Sequence, residues 1–310
     1  MARRILLDTD IGTDVDDALA LAFALRHPQI ELAAVTTVSG DTRRRAQIAA
    51  KLIALSGGPP IEVAAGRGEP LAGEGRMFWA GHEGRGLLDE GEDIPISPRD
   101  GVDVIVDTLL AGEMEVVTIG PLTNLAAALE REPRIAERIP RLTLMGGFFQ
   151  PTEPQRADLP FSVEYNLNAD PQATVAVLST PIPTTCVPAD VTMRTYLLDE
   201  HVRRLEAGPD PLLQALTRLV RVWTPVLASL FGIAGVSLPQ GLAAIPHDPL
   251  ALATLMEQRF VTTEMLPVAV SVAGGFLRTF IDPIAGREME VVTDVDADAF
   301  AAFLLETLGA

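Results

Sequence analysis

Short apolar runs alternate with longer stretches of helical periodicity along most of the chain, and that rhythm permits few folds. Runs at residues 5–8, 32–38, 62–65, 115–119, 142–145 and 182–187 have the length and composition of buried strands. Between them, apolar residues recur at helical spacing over 16–26, 42–56, 102–111, 122–131 and 171–178. A helix-rich stretch covers 210–230. Residues 248–256 then read as a helix, 264–272 and 288–292 as strands, and 297–308 as a closing helix. Strands that alternate with helices stack as βα units, which predicts an α/β fold with a mostly parallel central sheet flanked by helices. No linker of disordered composition and no repeat divides the sequence, so the expectation is a single domain over residues 1–310.

Composition excludes several partners. A net charge of -18 disfavours nucleic acid and anionic membrane surfaces, which reward clustered Lys and Arg. Arg43-Arg44-Arg45 opens a helical pattern and reads as a solvated face. One cysteine, Cys186, allows neither a disulfide framework nor a CxxC metal site. The apolar run after the N-terminal Arg3-Arg4 is too short for a signal peptide, and no later run is expected to span a membrane. These features together predict a soluble, cytoplasmic protein.

Chemistry concentrates in one turn. Five aspartates fall within ten residues in Asp8-Thr9-Asp10-Ile11-Gly12-Thr13-Asp14-Val15-Asp16-Asp17, between the first strand and the first helix. So many like charges repel unless a cation neutralises them, and hard carboxylate oxygens select calcium or magnesium. Helix capping accounts for one or two acids at such a position, but not for five. An EF-hand counted from Asp8 needs Gly and Glu where Thr13 and Leu19 stand, and no Walker Gly-Lys-Ser/Thr occurs. The strand plus Asp-x-Asp also resembles the haloacid-dehalogenase-type phosphatases, which would make Asp8 a nucleophile. That family calls for a lysine near its phosphate site, and the single lysine here, Lys51, lies mid-helix after the second strand.

The whole pattern resembles the nucleoside hydrolases of the inosine-uridine-preferring type. Their opening strand and acidic signature correspond to Asp8-Thr9-Asp10 through Asp16-Asp17-Ala18. Thr36-Thr37-Val38-Ser39-Gly40-Asp41 is similar to the end of their second strand, and Thr118-Ile119-Gly120-Pro121-Leu122-Thr123-Asn124 to their Gly-Pro-Leu-Thr-Asn segment. Met145-Gly146-Gly147, Glu164-Tyr165-Asn166, Asp170-Pro171 and His247-Asp248-Pro249 follow in family order. The blocks span nearly the whole chain.

The resemblance implies one calcium ion per subunit, held by Asp10, Asp17, Asp248 and the main-chain carbonyl of Thr118. It implies that Asp10 is the general base for a water attacking C1′ of the ribose, through an oxocarbenium-like transition state. Asp16, Asp41, Asp158, Glu164 and Asn166 fall where the family contacts the sugar, and His82 lies in its His-Gly-type loop. His247 is the candidate donor to the departing base. Trp223, Phe231, Tyr196, Met145 and Phe148 are candidates for stacking on that base, although aromatics at helical spacing are more often core. A homodimer or homotetramer is expected by resemblance.

Two departures matter. Asp14-Val15 looks like an insertion, so Asp17 is the expected ligand of the first loop with Asp14 as fallback. Asp41 and Asp158 stand where the family usually carries Asn, adding negative charge around the sugar. The leading expectation is a calcium-dependent hydrolase of ribonucleosides. Its alternatives are the metal-dependent phosphohydrolase and a calcium-bound nucleoside or sugar binder without turnover.

Overall fold

Strand β1 (Arg3–Thr9) runs through the middle of the molecule, and side-chain alternation along it sends Ile5 and Leu7 to one face and Leu6 to the other. Two apolar layers result, one on each side of the sheet. The computed structural model describes residues 2–73, 78–89, 91–149 and 164–309. From β1 the chain passes through α1 (Asp16–Arg26), β2 (Ile30–Thr37), α2 (Thr42–Ser56) and β3 (Glu62–Ala65). Next come α3 (Gly101–Ala111), β4 (Glu115–Thr118), α4 (Thr123–Arg131), a 3-10 turn at Pro133–Arg138 and β5 (Leu142–Met145). Then follow α5 (Tyr165–Ala169), α6 (Pro171–Leu178), β6 (Thr184–Val187), α7 (Ala189–Thr192), β7 (Leu197–Leu198), α8 (Asp199–Glu206) and α9 (Pro211–Ile233). The last elements are β8 (Leu242–Ala244), α10 (His247–Met256), β9 (Val261–Ala273), β10 (Phe276–Ile281), β11 (Arg287–Val295) and α11 (Ala297–Leu308).

Nine strands form one sheet in the order β10-β9-β11-β6-β5-β4-β1-β2-β3, and β7 pairs with β8 separately. The seven strands from β3 to β11 are parallel, whereas β9 and β10 are antiparallel additions at one edge. The sequence expectation of a mostly parallel α/β sheet flanked by helices is met. The chain builds outward from β1 to β3, then returns to the other side of β1 with β4. That reversal leaves a crevice beyond the carboxyl ends of β1 and β4, where open α/β sheets place their ligands. Register aligns Asp8 with Thr36 and Thr118, so the acidic turn and the end of β4 sit side by side at this crevice.

The short elements α5, α7, β7, α8 and β8 are additions to the pattern read from the sequence, and two longer elements also differ from it. Periodicity places no strand over Phe276–Ile281, yet β10 pairs there with β9 through a two-residue turn at Gly274-Gly275. Both glycines have positive φ, +61° and +77°, the geometry that matches strand twist in a tight hairpin. At 23 residues, α9 is long and apolar enough to cross a bilayer, which the sequence reading did not expect. Its buried positions Leu212, Leu216, Val220, Trp223, Leu227 and Phe231 recur every three or four residues and pack into the core, so this face is already covered by protein.

Candidate active site

Helices α1 and α10 pack together and bring their N-termini to the same place at the sheet's carboxyl end. Asp16 and Asp17 lie in the first turn of α1, and Asp248 in the first turn of α10. One carboxylate oxygen from each of the three lies within 4.8 Å of the others, and all three side chains are buried. The positive ends of two helix dipoles thus face three acids, which offsets part of their repulsion. The backbone N–H of Asp248 also donates to Asp16 Oδ2 at 3.3 Å, and Thr9 Oγ1 donates to Asp17 Oδ1.

Asp10 stands beside this group. Burial is the main cause that raises its carboxyl pKa, opposed by the positive charge of Arg45. Burial likewise lifts Asp16, Asp17 and Asp248 well above the ordinary carboxylate value, and repulsion adds to it, from Asp14 and Asp10 on Asp16 and from the neighbouring aspartates on Asp17 and Asp248. Gly120 lets Asp10 sit where it does: a Cβ there would fall 2.8 Å from Asp10 Oδ1 and 2.9 Å from its backbone nitrogen. Four buried carboxyls with oxygen donors only form a set suited to a hard divalent cation. Thr118, named as a carbonyl ligand, is fully buried at the end of β4, next to Asp8 in register. Asp14 lies outside the group of three, with its carboxylate accepting from Val15 N at 2.5 Å and its pKa pushed up to about 8 by burial.

Asp8 is held as structure. Its Oδ1 accepts from Thr36 Oγ1 at 2.6 Å and Asn124 Nδ2 at 2.8 Å, tying β1 to β2 and α4, and burial pushes its carboxyl up to about 7. Asp170 does similar work: it accepts from Leu71 N, Thr123 Oγ1 and Ala173 N, capping α6 while holding a loop and α4.

The other predicted residues divide. Glu164 is buried and caps α5, accepting from Asn166 N, Leu167 N and Gly147 N, and burial lifts it to about 7. Asn166 Nδ2 reaches the carbonyls of Ile119 and Met145, bridging the ends of β4 and β5. Both are thereby fixed near the carboxyl ends of β4 and β5, and the charge of Asp10 is felt at Glu164. Asp41 is exposed and accepts from Arg44 N as the N-cap of α2. His82 Nε2 donates to the carbonyl of Thr13 at 2.7 Å, and its ring lies 5.9 Å from that of Trp223. His247 opens α10 and places Nδ1 2.6 Å from Thr192 Oγ1; burial pulls its pKa down to about 4, so it is neutral at pH 7. Asp158 lies outside the described residues.

A shallow recess, partly open to solvent, adjoins the acidic turn and is bounded by Gly12, Thr13, Asp14, His82 and Trp223 among others. Of the stacking candidates, Trp223 borders this recess and Phe231 is buried in the core with it. Met145 contacts Asn166, Phe148 N donates to Thr279 Oγ1, and Tyr196 hydrogen-bonds Asp298 instead.

The Arg43-Arg44-Arg45 run is corrected at its last residue. Arg45 is completely buried, because α2 starts one turn behind the acidic loop and points this side chain under it. Its guanidinium donates to the carbonyls of Asp10, Ile11 and Ser39 and to Thr13 Oγ1. Trp79, 40% exposed, lies over it at 5.1 Å. Tyr165, given no role of its own within the Glu164-Tyr165-Asn166 block, accepts from Phe78 N at 2.8 Å through its hydroxyl. A fully buried arginine leaves no periodicity signal to separate it from its solvated neighbours.

Comparison with known proteins agrees with this geometry. The profile of the inosine-uridine preferring nucleoside hydrolases matches residues 5–302. The chain belongs to this family. It is 29% identical over 288 residues to the inosine-uridine preferring nucleoside hydrolase of Crithidia fasciculata, covering 88% of this chain and 85% of that one. It is 27% identical over 309 residues to the pyrimidine-specific ribonucleoside hydrolase RihB of Escherichia coli strain SE11, covering 95% and 94%. In three dimensions it matches a plant nucleoside hydrolase over the full length of both chains, with a TM-score of 0.83 at 24% identity. A purine-preferring ribonucleoside hydrolase from Gardnerella vaginalis matches with a TM-score of 0.78 at 27% identity, over 99% of this chain and 98% of that one. This nucleoside hydrolase is accordingly an N-ribosyl hydrolase, and the phosphohydrolase alternative with Asp8 as nucleophile falls away.

Proposed function

We propose that this nucleoside hydrolase is calcium-dependent and splits ribonucleosides into ribose and a free purine or pyrimidine base. The observation that carries the reading is the convergence of Asp16, Asp17 and Asp248 in a buried group beside Asp10. Calcium accepts six to eight oxygens in a flexible shell, so Asp10, Asp17, Asp248 and the Thr118 carbonyl leave positions for water and sugar hydroxyls. When bound, the ion neutralises the acids and makes a nearby water more acidic.

The chain's own residues do the rest. Asp10 takes a proton from the water as its oxygen bonds to C1′ and the N-glycosidic bond breaks. Asp16, Glu164 and Asn166 hold the ribose hydroxyls, and family likeness adds Asp41, His82 and Asp158 as further substrate contacts. Negative charge from Asp16 and Glu164 favours the positive charge that builds on the ribose. His247 donates a hydrogen bond to the departing base. A homodimer or homotetramer completes the reading on family likeness, and a cytoplasmic setting accords with a single, buried, unpaired cysteine.

The test is a panel of common purine and pyrimidine nucleosides with and without a chelator, followed by reducing-sugar release. Base release that disappears with chelator and returns with calcium supports the proposal. Tight nucleoside binding with no base release at saturating calcium would leave only the non-catalytic binder.

A further inference from the structure

The contact between His247 and α7 has a consequence for the chemistry. Thr192 ends α7, the short helix that follows β6, and is completely buried. Its Oγ1 has two neighbours: His247 Nδ1 at 2.6 Å and the carbonyl of Ala189, one turn back, at 3.4 Å. A helical threonine hydroxyl ordinarily donates to such a carbonyl, but 3.4 Å is at the outer limit of a hydrogen bond, whereas 2.6 Å is a good one. Of the two, Nδ1 is the better-placed acceptor for the single hydroxyl proton. A ring nitrogen that accepts this proton carries none of its own, so in neutral imidazole the proton lies on the other nitrogen. Among the described residues Nε2 has no hydrogen-bond partner.

We infer that Thr192 is a positioning residue that holds His247 as the Nε2–H tautomer, so that Nε2 is a hydrogen-bond donor towards the leaving nucleobase. This rests on the nucleosidase reading for its substrate, but not for the tautomer. The opposite assignment, with Nδ1–H donating to Thr192, would leave a lone pair on Nε2 facing a base on which negative charge is growing. That arrangement repels the leaving group, and it sends the threonine proton to the poorer of its two partners. In the assigned arrangement the Nε2–H faces the departing base and stabilises the negative charge that grows on it.

Three proteins and two substrates test the inference: wild type, Thr192→Val and Thr192→Ser, on a ribonucleoside and on 4-nitrophenyl riboside. Nitrophenolate leaves without help from a donor, so only the nucleoside reports the hydrogen bond. Thr192→Val is expected to lower kcat for the nucleoside roughly 10–100-fold, less than the roughly 10²–10⁴-fold that a proton donor supplies, because the ring stays in place. KM, calcium affinity by calorimetry and turnover of nitrophenyl riboside should stay within about threefold, since the hydroxyl touches neither sugar nor ion. Thr192→Ser restores the hydroxyl and should recover nucleoside kcat. Unchanged nucleoside kcat in Thr192→Val, an equal loss on both substrates, or no rescue by serine would overturn the assignment. Nitrogen-15 NMR of imidazole-labelled wild type at pH 7 reads the tautomer directly, whatever the variants do. An Nε2–H spectrum supports the inference and Nδ1–H refutes it. Should wild type cleave neither riboside, the nucleosidase reading fails, and the spectrum alone still decides the hydrogen bond.

Discussion

The backbone N–H of Asp248 donates to Oδ2 of Asp16 at 3.3 Å, joining two residues that lie 232 positions apart. This bond closes the acidic group: it brings the N-terminus of α10 onto that of α1 at the carboxyl end of the sheet.

Removing Asp248 should therefore disable cation binding more than folding. Asp248→Ala is expected to lower calcium affinity about 100-fold or more, at least the upper end of what outer-sphere partners contribute. Isothermal calorimetry measures this, and unchanged affinity would remove Asp248 from the ligand set.

Calcium should also stabilise the wild-type fold, because only the folded chain assembles the group. At a free concentration one hundred times Kd, linkage gives about 2.7 kcal/mol. For a chain of this size that corresponds to a Tm rise of about 4 °C. Differential scanning calorimetry with calcium and with chelator checks it; identical Tm values would mean that no ion binds the native state.

Asp10 is assigned to proton removal. Asp10→Ala should lower kcat by about 10²–10⁴-fold, the usual worth of a general base, with the far-ultraviolet circular dichroism unchanged. A variant turning over near the wild-type rate would exclude the assignment.

Arg45 should matter for stability out of proportion to its place in a basic run. Replacing it by Met strands the carbonyls of Asp10, Ile11 and Ser39 and removes the positive charge nearest the acids. Loss of a buried charged donor costs about 3–5 kcal/mol. Lysine should recover little of it, since one ammonium cannot reproduce the planar fork. Urea denaturation reads both, and Arg43→Met, at an exposed position, supplies the comparison.

Burial pushes the Cys186 thiol from its usual 9.0 up to about 12. The native protein should resist thiol reagents at pH 8 and react only when unfolded. Above pH 9 the unfolded chain loses this proton and the folded chain keeps it, so stability falls as pH rises, by up to about 1.4 kcal/mol per pH unit. Cys186→Ala should flatten that part of the alkaline stability profile.

Local pattern accounts for most of what the amino-acid sequence by itself determined. Strand-length apolar runs and helical periodicity specified the α/β class and the boundaries of β1, α1, α2 and β5 to within a few residues, because each depends on neighbours along the chain. The acidic turn was equally visible, since five like charges between a strand and a helix require an explanation wherever they fold. Tertiary structure alone decided which acids meet. Asp17 and Asp16 join Asp248 while Asp14 stays outside, a choice made by the packing of α1 on α10 and not by spacing. It also decided that Arg45 is buried while Arg43 is exposed, and that Thr192 lies against His247 across 55 residues. Burial and long-range hydrogen bonds are properties of the assembled chain: the same Arg or Thr is solvated or essential according to which element folds over it.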